Sequence, residues 1–64
     1  MTSLTPEEFR VVALLAQGKS NQTIADELHK SRSTVRCQIH NAMNKTRTVN
    51  RTQLANWYYE REGK

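Results

Sequence analysis

Apolar residues along the chain recur at helical spacing, in four segments, and no segment reads as a strand. Leu4-Thr5-Pro6-Glu7-Glu8-Phe9 is dense in helix-start signals. Thr5 can cap, Pro6 suits the first helical position, and Glu8 can bond back to the cap's amide. Leu4 and Phe9 stand where a hydrophobic staple would close. A first helix is predicted over about 6–17, stopped by Gly18 in a left-handed conformation. Ser20 caps a short second helix over 21–28, with Ile24, Ala25 and Leu28 on its apolar side. His29-Lys30-Ser31 is a turn without Gly or Pro. If it needs a positive φ, His29 is a tolerable choice, although Gly or Asn would be easier. Ser31 caps a third helix over 32–45, in which Val35, Ile39, Ala42 and Met43 form one apolar stripe. Ser33, Arg36, Cys37, His40, Asn41 and Asn44 occupy its opposite side. After a polar loop at 46–49, Asn50 caps a fourth helix over 51–60, where Val49 and Leu54 are spaced for a second staple. The predicted fold class is all-α, in a single domain over 1–64 with no repeat, linker or low-complexity segment.

Residues 21–39 have the anatomy of a helix-turn-helix. The small Ala25 lies where a second helix must cross closely, a three-residue turn follows, and Val35 and Ile39 anchor the second helix on the first. Such a pair leaves the outer face of its second helix free to enter a DNA major groove.

Length and composition bound the rest. Sixty-four residues make one small domain, and a chain of that size buries only about 60% of its unfolded surface. Dimerisation or ligand binding could supplement its stability. An initiating Met1 suggests a complete small protein. One Cys permits no intrachain disulfide, which fits a reducing, cytoplasmic setting. The longest apolar run, Val11 to Ala16, is six residues, too short for a membrane span.

Charge changes the picture more. The net charge is +4, but it is unevenly distributed. Residues 1–27 carry a balance of −2, and residues 28–59 carry six cations and no carboxylate. DNA carries one negative charge per roughly 1.7 Å of axis and repels acidic side chains. Cations, amides and hydroxyls can instead bond phosphates and base edges. The plain alternative is a solvated basic face.

LTPEEF at 4–9, AQGKSNQTIADEL at 16–28, STVR at 33–36 and NRTQLA at 50–55 together resemble the LuxR/GerE-type (NarL-type) DNA-binding domain of bacterial transcription regulators. The likeness covers about residues 4–58. It implies a four-helix domain that binds double-stranded DNA, with the third helix reading the major groove and the fourth mediating a homodimer. On the matching positions, Arg36, Cys37 and His40 are the expected base contacts. Asn21, Thr34 and Lys45 match positions that hold the DNA backbone, and Lys30, Arg32, Ser33 and Arg51 are expected to do so by their charge or hydroxyl. Leu54, Trp57, Tyr58 and Arg61 on the fourth helix are the expected dimer interface; Leu54 and Tyr58 are also spaced to pack on the domain body, which leaves Trp57 or Tyr59 partly exposed. The chain departs from the pattern at Lys30 (usually aliphatic), Arg32 (often acidic), Gln38 (frequently His), Arg10 (commonly Glu), and Thr46 and Thr48 (usually apolar). Lys30, Thr46 and Thr48 make the core more polar, and Arg32 makes the DNA side more cationic.

Other chemistry finds little support. No Ser/His/Asp grouping, Gly-rich phosphate loop or carboxylate pair is visible, so no enzyme activity, cofactor or metal is expected. Glu7 and Glu8 are explained by helix capping. A lone Cys37 is slender evidence for redox sensing, and His29, Cys37 and His40 lack a recognised metal-ligand spacing. The second functional reading is a protein-interaction module that pairs with a full-length regulator and modulates it.

Overall fold

The computed structural model describes residues 4–62, and the side chains of 4–61. Four helices follow in order: α1 (Pro6–Ala16), α2 (Asn21–Leu28), α3 (Arg32–Thr46) and α4 (Arg51–Glu62). No strand occurs among the described residues.

Each helix start is set by a short polar side chain. The Thr5 hydroxyl accepts from the Glu8 amide at 3.2 Å, and the Glu8 carboxylate accepts from the Thr5 amide at 3.1 Å, a closed capping box. Ser20 accepts from the Thr23 amide, Ser31 from the Thr34 amide and Asn50 from the Gln53 amide. The ends use left-handed residues. Gly18 has φ +89° and ends α1 with its amide on the Leu15 carbonyl. His29 has φ +57° and lets the Lys30 amide return to the Ala25 carbonyl at 2.9 Å. Arg47, with φ +60°, does the same for α3, where the Thr48 amide reaches the Met43 carbonyl at 3.0 Å. No Gly or Asn marks that position, so nothing in the sequence announced it.

The core joins Val11, Val12 and Leu15 of α1, Ile24 and Ala25 of α2, Val35, Ile39 and Ala42 of α3, and Leu54 of α4. Helix α1 packs on all three others, and α3 packs on both α2 and α4. Phe9 lies against Tyr58 with ring centroids 5.4 Å apart, closing α1 onto α4. Thr46 and Thr48 fit without orphaned hydroxyls: Thr46 donates to the Ala42 carbonyl at 2.9 Å and shares a bond with Thr48 at 3.0 Å.

The second staple does not form. Leu54 is fully buried, whereas Val49 is 78% exposed. The Gln53 side chain accepts from the Val49 amide at 3.0 Å, and the apolar side chain stays outside.

Candidate nucleic-acid interface

Helix α3 has two unlike edges. Val35, Ile39 and Ala42 are buried in the core. Ser33, Arg36, Cys37, His40, Asn41 and Asn44 are all exposed on the other side. Arg36, Cys37, His40 and Asn41 share one shallow depression on that side. The three expected base contacts therefore stand together, and Asn41 joins them. Its polar amide and its position one turn after Cys37 are the signal that includes it.

A second depression, between the starts of α2 and α3, is lined by Asn21, Arg32, Ser33 and Arg36. Arg51, the first residue of α4, donates from Nη1 to Asn21 Oδ1 at 2.8 Å. The starts of α2 and α3 thus meet at one corner of the molecule, and the Arg51 side chain reaches into it from the start of α4. The positive ends of the α2 and α3 dipoles and the guanidinium groups add with the same sign there. No carboxylate among the described residues lies within 4 Å of the Arg32, Arg36 or Arg51 guanidinium. Thr34 is exposed beside this corner, its hydroxyl bonded to Ser31 at 2.9 Å.

Two expected backbone contacts are engaged elsewhere. Lys30 Nζ bonds Glu7 Oε1 at 2.6 Å, and its side chain is only 20% exposed. Lys45 Nζ bonds the buried Glu8 at 2.7 Å. Both lysines turn toward the start of α1 because it places two adjacent carboxylates beside them. Lys30 holds the Glu7 carboxyl below its ordinary range, with help from Gln38. At Glu8, burial works to raise the carboxyl, but the bonds from Lys45 and the Thr5 amide outweigh it and keep the group low.

The expected α4 interface needs a correction. Leu54 has no exposed surface, because it fills the centre of the core. Tyr58 is half-buried against Phe9 and the core. Both serve the fold. Trp57 is half-buried, with the Arg61 guanidinium 5.1 Å from its ring. Tyr59 is 52% exposed, while its hydroxyl donates to the Ala16 carbonyl. Trp57 and Arg61, one turn apart, share a side of α4, whereas Tyr59 lies roughly 160° round the helix from Trp57 and turns toward the end of α1. Among the described residues, no three His, Cys, Asp or Glu side chains gather as metal ligands, and no helix is long and apolar enough to cross a membrane.

A short helix, a three-residue turn and a second helix, with one edge inside and a cationic, amide-bearing edge outside, define a helix-turn-helix domain. The chain belongs to the luxR family of bacterial regulatory proteins: the family described as "Bacterial regulatory proteins, luxR family" matches residues 2–58. It is 43% identical to the monoamine regulon transcriptional regulator of Klebsiella aerogenes over 51 residues, 80% of this chain and 22% of that protein. It is 40% identical to the transcriptional regulatory protein LiaR of Bacillus subtilis over 53 residues, 83% of this chain and 25% of that protein. The nitrate/nitrite response regulator protein NarL of Escherichia coli is 32% identical over 60 residues, 94% of this chain and 28% of that protein. The chain spans about a quarter of the length of these curated relatives.

Proposed function

We propose that this chain binds double-stranded DNA in a sequence-dependent way and regulates transcription, with α3 in the major groove. One observation carries the proposal: α3 buries Val35, Ile39 and Ala42 and exposes Arg36, Cys37 and His40 on a face without carboxylates. Arg36 can offer a forked pair of donors to a guanine edge. Cys37 suits a thymine methyl by size, and His40 and Asn41 can bond neighbouring edges. The corner formed by Asn21, Arg32, Ser33 and Arg51, with Thr34 beside it, suits phosphate, since cations, hydroxyls and helix N-termini all favour anions. The membership in a family of bacterial regulators and the names of its relatives point the same way.

Trp57 and Arg61 form the face of α4 best suited to a second copy, since aromatic residues and Arg are enriched in interfaces. The same face would serve pairing with a full-length regulator. Sedimentation of the chain alone, and then with a candidate regulator, separates the two.

Selection of bound duplexes from a random pool tests the proposal. Enrichment of a two-fold symmetric consensus is expected. A pool that stays unenriched, bound weakly and without salt dependence, would overturn it.

A further inference from the structure

We propose that Glu7 is a positioning residue that sets the rotation of α3 about its own axis, and so aligns Arg36, Cys37 and His40. The inference rests on the DNA-reading role of α3 proposed above. Its starting point is a limit of the core. The apolar contact of α3 with the body is made by Val35, Ile39 and Ala42, with Met43 packed beside them, and hydrophobic burial is non-directional. A stripe of such modest side chains resists separation more than it resists rolling. Hydrogen bonds have a direction, and the two side-chain bonds from α3 to α1 fall on one flank. Gln38 and Lys45 are seven residues apart, two turns along the same line of the helix. The first donates to Glu7 at 3.3 Å and the second to Glu8 at 2.7 Å. Glu7 and Glu8 are neighbours in the first turn of α1.

Glu8 has other work, in the capping box of α1. Glu7 takes no part in that box: it lies exposed in the first turn, where its charge suits the helix dipole, and its side-chain bonds go to Lys30 in the turn and Gln38 on α3. One carboxylate thus ties α1 to both parts that aim the recognition helix. Gln38 bears a cost for this orientation, because its Oε1 is buried without a hydrogen-bond partner. The structure brings Lys30 and Gln38 to the same oxygen. The geometry makes the roll consequential. A side-chain tip about 5–6 Å from the helix axis moves by about 2 Å for a roll of about 20°. That exceeds the tolerance of a forked bond to a base.

The test compares three proteins: the parent chain, Glu7→Ala, and the double variant Glu7→Lys with Lys30→Glu. The double variant reverses the pair, keeps the net charge, and offers Gln38 Oε1 a donor. Two quantities are read. The first needs no DNA: the orientation of α3 relative to α1, from residual dipolar couplings. The second is the ratio of affinities for a selected duplex and a scrambled one, with its salt slope, well below the melting temperature. Glu7→Ala is expected to turn α3 and lower the ratio by about tenfold with the salt slope unchanged; the double variant is expected to restore both. A ratio left intact while only the melting temperature falls would make Glu7 a mere brace. An affinity that rises, with a salt slope steeper by about one, would make Glu7 a mask over Lys30. Either result overturns the proposal, as does an α3 that keeps its orientation. If the parent chain discriminates no duplex, the DNA reading fails, and the couplings alone still decide whether Glu7 sets the roll.

Discussion

Arg36 and Arg32 lie one helical turn apart on α3, yet they are expected to fail differently when removed. Arg36 sits in both depressions of the exposed face, whereas Arg32 lines only the one between helix starts. Arg36→Ala should cost about 1–3 kcal/mol on a selected duplex and relax the preference at one base pair. Arg32→Ala should weaken all duplexes alike and lower the salt slope by about one. Binding to selected and scrambled duplexes at several salt concentrations reads both, and uniform loss from Arg36→Ala would reassign it to phosphate. Glu8 makes a prediction about acid. Its folded carboxyl titrates below its ordinary value. Its contribution is therefore complete above the ordinary carboxylate range and is lost as pH falls through the lowered folded value. Glu8→Gln should lower the unfolding free energy by about 1–2 kcal/mol at neutral pH, and this gap to the parent should narrow below about pH 4. Urea denaturation of both proteins at neutral and acid pH measures it; a gap that stays constant would contradict the assignment.

Among the elements, α3 was the most legible in advance and α4 the least. An apolar stripe on one edge with polar residues on the other leaves one orientation for a helix packed on a core, and Val35, Ile39, Arg36 and His40 take it. The caps at Thr5, Ser20, Ser31 and Asn50 were legible because each acts within three residues. Contacts between distant residues were not. Nothing local in Lys30 or Lys45 says that a carboxylate on α1 waits within 3 Å. Three adjacent aromatics on α4 could not reveal which one faced outward until Phe9 claimed Tyr58. The two sides of α4 now separate by experiment. Leu54→Ala should cost about 2–5 kcal/mol of stability, as a fully buried side chain does. Trp57→Ala should leave stability closer to the parent and weaken self-association instead. Thermal unfolding and sedimentation equilibrium check the pair, and equal loss of stability from both would remove the distinction.

At the scale of the molecule, charge and packing divide the labour. The α1 carboxylates hold two lysines against the body of the domain, so the cationic surplus left facing solvent on α3 and α4 is carried by arginines. Arginine suits the task, since its rigid fork matches phosphate and guanine edges. A chain this small has few apolar residues to spare, and its polar contacts consequently serve both folding and aim. The most direct measurement is an NMR titration of the isotopically labelled chain with a selected duplex. Binding through α3 predicts that the resonances of Ser33, Arg36, Cys37, His40 and Asn41 shift most, together with those of Asn21 and Arg51, while the outer face of α2 at Gln22 and Asp26 stays unmoved. Changes confined to α4 or to the α1–α2 side, with the α3 face silent, would contradict it.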